Sequence, residues 1–259
     1  SVARIKPTLE LVDPILKTAP EVAENKRVVE KISGSIELNN VSFRYSADTP
    51  TIIDNLSLKI RPGQYVAIVG KTGCGKSTLL RSLLPDDCVL VSNEVVRSRA
   101  QVLAENISKW GHPRCFVTSN YPADFTPLGE TFDLILVDAP CSGEGMFRKD
   151  EVAVAEWSPE NVEVCWKRQR DILTDIWPTL RPGGLLIYST CTFNTAEDEK
   201  NVRWMMDELG AELLPIATDT AWGITPSLTS EVAHAYRFLP GRTQGEGFFL
   251  AALRKGGEA

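Results

Sequence analysis

Two cysteines occupy matching places in the chain: Cys141 in FDLILVDAPCSGEGMFRKD and Cys191 in GGLLIYSTCTFNTAEDEKNV, each just after an apolar run that reads as a buried β-strand. Cysteines at the carboxyl ends of neighbouring strands open onto one crevice. There one thiolate can attack and a second group can serve the later resolution step. An isolated cysteine is more often packing; the pairing, with Asp138 close before Cys141, points to chemistry instead. Asp138 is also readable as a magnesium ligand or a strand-end cap.

A second constellation lies earlier, in IVGKTGCGKST. Gly70, Gly75, Lys76 and Ser77 satisfy G-x-x-x-x-G-K-[ST], between the apolar run YVAIVG and a helix over Ser77 to Leu84. Backbone N–H groups of such a loop converge on phosphate oxygens, Lys76 adds a charge and Ser77 can ligate Mg²⁺. The bland alternative is a tight glycine turn. Glu94 ends CVLVSNE, where a Rossmann-type site places an acid to accept hydrogen bonds from ribose hydroxyls; an exposed acid at a helix start is its alternative.

These residues need elements to position them. The stretches SIELNNVSFRY and TIIDNLSLKI predict β-strands leading into the buried strand YVAIVG, after a lead-in with a helix near Glu21 to Lys31. Helix RSRAQVLAENISKWG, strand RCFVTSN, strand FDLILVDAP, a helix within Ser158 to Leu180 and strand GGLLIYST follow in βαβα alternation. Helix AEDEKNVRWMMDELG, strand AELLPI and strands around YRFLP and GFFLAALR complete the count. The fold expected is α/β: a doubly wound, Rossmann-like, mainly parallel sheet with a final antiparallel hairpin and ligands at the carboxyl ends of its strands. The chain divides as a lead-in over 1–33, a small N-terminal β segment over 34–69, and the Rossmann-like domain over 70–255. In the GEGFF turn, Gly245 and Gly247 meet backbone demands while Phe248 and Phe249 pack.

Composition narrows the function classes. The six cysteines form no CxxC pair and only two histidines are present, so neither a zinc site nor a disulfide framework is expected, and no metal site is assigned. A net charge of −6 argues against a non-specific polyanion binder and leaves RNA only through a local basic groove or a separate recognition domain. Arg148, Lys149, Lys167, Arg168 and Arg170 could supply one, although singly each reads as part of a solvated face. No apolar run nears the roughly 20 residues of a membrane span, and the N-terminus lacks a secretory pattern, so a cytoplasmic location is expected. No oligomeric state is read from the sequence.

Residues 34–80, in the wording GSIELNNVSFRYSADTPTIIDNLSLKIRPGQYVAIVGKTGCGKSTLLR, resemble the start of an ABC-type ATPase domain of peptidase or bacteriocin-export transporters. That resemblance implies that Tyr45 stacks on adenine and that the loop from Gly70 through Gly75, Lys76, Ser77 and Thr78 holds the phosphates of Mg-ATP. The signature helix and switch histidine of that family are not recognisable, and Ala139 stands where it places a catalytic glutamate. Nucleotide binding without turnover is the expectation.

The remainder, roughly Gly75 to Lys255, resembles the RNA cytosine-5 methyltransferases of the Sun/Nop type, on DAPCSGEGMFRKD, STCTFNTAEDEKNV, WSPENVEVCWKRQRDIL and HAYRFLPGRTQGEGFFLAALRK. The resemblance implies that Cys191 attacks C6 of cytosine, that Cys141 assists loss of the C5 proton and of the adduct, and that Asp138 binds the polar edge of the base. It also implies S-adenosylmethionine as cofactor, held by Gly73, Gly75, Lys76, Ser77 and Thr78 at its methionine end, by Glu94 at the ribose, and by Asn120, with Asp124, near the adenine; Asp138 borders the same site. The implied partner is RNA, ribosomal by resemblance.

Gly75, Lys76, Ser77 and Thr78 are common to both families, so the chain reads as an ABC-like front joined inside the glycine loop to a methyltransferase-like remainder. The loop lacks the acid and proline usual in the methyltransferases, so impaired cofactor affinity is expected. The leading reading is an S-adenosylmethionine-dependent RNA methyltransferase with a hybrid loop; a truncated ATP-binding module and an inactive fusion are the alternatives.

Overall fold

The computed structural model describes residues 36–43, 53–60, 88–243 and 245–257. The chain falls into two units, Ser1–Val66 and Ala67–Ala259. In the first, β1 (Ile36–Phe43) pairs antiparallel with β2 (Ile53–Ile60), from Ile36 opposite Ile60 to Phe43 opposite Ile53. The apolar alternation of β1 slips by one residue at Asn39-Asn40, and the ladder shifts register between Leu38 and Val41 at that point. One extra residue in a strand is a bulge, which keeps an interrupted pattern in phase. The expected strand YVAIVG, the glycine loop, the helix after it, Tyr45 and the lead-in lie outside the described residues.

The second unit carries the α/β layers. β3 (Leu90–Asn93) runs parallel to β4 (Cys115–Thr118), and α1 (Arg97–Trp110) crosses between them. α1 stops at Gly111, whose φ of 73° is the left-handed conformation favoured by glycine, with its N–H on the Ile107 carbonyl. β5 (Phe132–Asp138) runs parallel to β6 (Leu180–Thr190). Their crossover holds α2 (Glu151–Glu156) and α3 (Pro159–Ile176). α3 begins where its sequence says it should: Ser158 accepts the Asn161 N–H at 3.1 Å and Pro159 takes the first turn.

After β6 come α4 (Glu199–Glu208), β7 (Ala211–Leu214), β8 (Thr225–Pro226), β9 (Ala235–Phe238) and β10 (Phe248–Lys255). The sheet order is β5-β6-β10-β9-β8, with β7 also on β10. β10 is antiparallel to β6 and to β9, so the expected hairpin closes a mixed sheet. Residues Phe248 to Leu253 of β10 are all buried, as expected of a central strand covered on both faces. Leu173 from α3, Val202 and Met205 from α4, and Leu186, Tyr188, Phe249 and Leu253 from the sheet form the fully buried core. Each such side chain contributes roughly 1.5–3 kcal/mol on burial, so the β5–β6–β10 centre is the rigid part on which the strand ends are mounted.

Candidate active site

β5 and β6 end side by side, Asp138 opposite Ser189, and the loops that leave them carry the two cysteines. The Cys141 and Cys191 sulfurs are 3.2 Å apart, within hydrogen-bonding distance and not joined in a disulfide. The Cys191 N–H also points to the Cys141 sulfur at 3.4 Å. The contact with Cys191, then burial, pushes the Cys141 thiol well above its ordinary range. Either sulfur can be the donor in their contact. Asp138, the last residue of β5, is exposed, and its Oδ1 accepts from Ser189 Oγ at 3.3 Å.

A buried polar scaffold sets this geometry. Glu197, fully buried, accepts three hydrogen bonds: from the Ser142 N–H at 3.0 Å, Gln169 Nε2 at 2.8 Å and Asn194 Nδ2 at 2.6 Å. Its carboxylate thus ties the Cys141 loop to the Cys191 loop and to α3. Gln169 also donates to the Pro140 carbonyl at 2.9 Å, and its oxygen accepts from Tyr188 and Asn201. Burial raises the Tyr188 phenol far above its usual range, so it stays a donor, its one proton shared between Gln169 Oε1 and the Glu197 carbonyl. A buried carboxylate is tolerated only when its lone pairs are satisfied, which this arrangement achieves.

Two glycines let the loops approach. The Gly145 N–H donates to the Cys191 carbonyl at 2.9 Å, and a Cβ at Gly145 would lie 2.6 Å from the Gly247 carbonyl oxygen. Gly247 is packed under Phe193, where a Cβ would meet the ring at 2.0 Å. The GEGFF turn expected to serve the hairpin therefore also braces the Cys191 loop.

The other predicted residues gather at the ends of β3 and β4. Glu94 accepts the Val96 N–H at 2.9 Å, so its carboxylate shapes the start of α1, while its own N–H reaches the Thr118 carbonyl. Asn120 donates its N–H to Asn93 Oδ1 at 3.0 Å, and its side chain approaches Asp124 at 3.4 Å. Asn93, which no motif singled out, clasps the two strand ends by also bonding Thr118 Oγ1 and the Asn120 carbonyl. An acid after β3 and an amide with an acid after β4, all at least partly exposed, form a donor and acceptor set that fits a ribose diol and an adenine amine. Gly70, Gly73, Gly75, Lys76, Ser77 and Thr78 lie outside the described residues.

Four of the five basic residues are engaged with neighbours. Arg148 and Lys149 both pair with Glu246, holding its carboxyl down at about 2. Lys167 pairs with Glu163 one helical turn away, and Arg170 stacks over Trp166 and Trp204 while bonding Asn201. A separate buried cluster centres on Arg237 of β9, which grips Glu199 at the start of α4 and the Phe193 carbonyl. Its Nη1 lies 3.1 Å from Asp198 Oδ2 but is aimed at Phe193, and burial raises the Asp198 carboxyl.

Comparison with known proteins places these features. Residues 56–254 match the model of a family described as 16S rRNA methyltransferase RsmB/F. The matched span begins ahead of the glycine loop and runs through it. Ribosomal RNA small subunit methyltransferase F of Pectobacterium atrosepticum is 36% identical over 197 residues, covering 76% of this chain and 40% of that protein. The protein of that name from Escherichia coli O7:K1 is 38% identical over 196 residues, 74% of this chain and 40% of its own length. The chain thus spans about two fifths of these relatives. Among solved structures, NSun6 from Pyrococcus horikoshii with SFG aligns at a TM-score of 0.61 and 28% identity, over 71% of this chain and 46% of that one. A methyltransferase homolog protein from the same organism gives 0.58 and 27%, over 72% and 58%.

Proposed function

The chain belongs to the RsmB/F family of 16S rRNA methyltransferases, and on that premise we propose that it is an S-adenosylmethionine-dependent RNA cytosine-5 methyltransferase acting on small-subunit ribosomal RNA. The observation that carries this reading is the sulfur pair, 3.2 Å apart at the ends of adjacent parallel strands.

In this reading the Cys191 thiolate attacks C6 of an unstacked cytosine, forming a C–S bond and moving the C5–C6 π electrons toward C5. Asp138 faces the polar edge of the base and stabilises the electron-rich ring. When bound, S-adenosylmethionine would supply an electrophilic methyl group for the electron-rich C5, leaving as the neutral thioether. The C5 proton passes to water with Cys141 assisting, and the electrons of that C–H bond re-form the double bond as the Cys191 thiolate leaves.

Glu94, Asn120 and Asp124 would hold the ribose and adenine, and Gly73, Gly75, Lys76, Ser77 and Thr78 the methionine end. The front of the chain keeps its second reading here: with Tyr45 and the same loop it would take Mg-ATP. A location in the cytoplasm, where ribosomes are assembled, belongs to the same proposal. Calorimetric titration with S-adenosylmethionine and with Mg-ATP separates the two ligands. The proposal expects cofactor binding that is weakened by Glu94→Ala, and transfer of labelled methyl to small-subunit RNA that is abolished by Cys191→Ala. Binding of Mg-ATP alone, lost in Lys76→Ala, would overturn it.

A further inference from the structure

Beside the Cys191 loop lies an open cavity of about 380 Å³, walled by Phe147, Trp157, Phe193 and Pro240, with Arg148 at its edge. Gly145, whose N–H is bonded to the Cys191 carbonyl, also lines it, and Phe193 follows Cys191 by two positions. The cavity therefore adjoins the sulfur pair through shared backbone. Phe147 and Trp157 meet edge to face, with ring centroids 6.4 Å apart, and each remains 38% exposed. Large aromatic surface left open beside a reactive site is costly unless something covers it.

Glu144 also lines the cavity, and its carboxylate is committed within the wall. It accepts from Trp157 Nε1 at 3.0 Å and from the Phe193 N–H at 2.9 Å, which fixes the tryptophan ring relative to the Cys191 loop. Arg148 is held by Glu246, yet its side chain remains 60% exposed. Rigid aromatic faces with a cation at the rim match an unstacked nucleobase and its phosphate: the base lies against the rings and the phosphate meets the guanidinium. An aliphatic ligand would fit the rings and have no use for the cation.

We propose that this cavity receives the nucleobase next to the target cytosine in a single-stranded stretch of RNA. The inference rests on the RNA methyltransferase reading and adds a flanking-base site to it. By stacking the neighbour, the protein keeps the strand splayed and presents the target base to Cys191.

The test uses a short single-stranded RNA with one cytidine and 2-aminopurine as its neighbour, whose fluorescence is quenched on stacking. Wild-type protein should quench it on binding. Trp157→Ala and Phe147→Ala should bind about tenfold more weakly, as expected for loss of one stacking partner, and should quench little. Trp157→Phe should restore the quenching, and an RNA abasic at the neighbouring position should bind wild type and both alanine variants equally weakly. Circular dichroism identical to wild type would confirm that the variants are folded. The inference is overturned alone if the alanine variants bind and quench like wild type while the same RNA still forms an adduct on Cys191 of Cys141→Ala protein. If wild type neither binds the RNA nor gives an adduct in that background, both this inference and the methyltransferase reading fall.

Discussion

At the scale of single residues, the sulfur pair and the carboxylate beneath it make the sharpest statements. Cys141 holds its proton because of the Cys191 contact first and burial second, so its alkylation by iodoacetamide, followed by peptide mass spectrometry, should rise only at pH values well above the ordinary thiol range. In Cys191→Ala the first cause is gone, and the Cys141 profile should move to lower pH; an unmoved profile would show that burial alone governs it. Glu197→Gln turns three converging donors onto an amide that presents its own donors. Displacement of the sulfurs by even a fraction of an ångström should cut the rate of methyl transfer by roughly 10- to 100-fold. The loss should appear in kcat with little change in KM for RNA, as expected of a positioning residue that does not touch substrate.

At the scale of elements, Arg237 joins β9, the start of α4 and the Cys191 loop in one buried ion cluster. Arg237→Met would leave Glu199 buried without its counter-charge, a change that costs about 3–5 kcal/mol when one partner of a buried pair is removed. Urea unfolding should show a lower midpoint at unchanged slope. This cluster was not legible as a motif, because AEDE looks like an exposed acidic helix start. A signal was there: Glu199, Val202 and Met205 recur every three residues, which puts Glu199 on the same face as two core side chains. The elements themselves were legible, since apolar runs of strand length alternate with amphipathic stretches. The start of α3 after Ser158, the end of α1 at Gly111 and the β9–β10 hairpin all fall where cap and turn residues place them.

At the scale of the whole molecule, the strand ends named from sequence do bring Cys141 and Cys191 together, while Asp138 ends the strand before Cys141 and bonds Ser189. The methyltransferase family expected from DAPCSGEGMFRKD and STCTFNTAEDEKNV is the family that matches. Fold order makes this possible to read: parallel strands must all expose their carboxyl ends on one side, so residues far apart in sequence share a crevice. The scaffold of Glu197, Gln169, Tyr188 and Asn201 was invisible because its pairings depend on how α3 and α4 lie against the sheet, which no spacing encodes. The basic face expected for RNA changed character, with Arg148 and Lys149 tied to Glu246. Glu246→Gln should therefore release both cations and strengthen RNA binding about severalfold at low salt, the gain fading as salt screens it; a filter-binding salt series would show it.

The central claim is that Cys191 forms the covalent bond to cytosine and Cys141 helps to break it. Cys141→Ala protein should be incubated with S-adenosylmethionine and small-subunit ribosomal RNA, digested with nuclease and protease, and analysed by mass spectrometry. A stable cytidine adduct should appear on the peptide carrying Cys191 and be absent from the Cys141→Ala, Cys191→Ala double variant. No adduct on RNA that the wild-type protein methylates, or an adduct on any other residue, would contradict it.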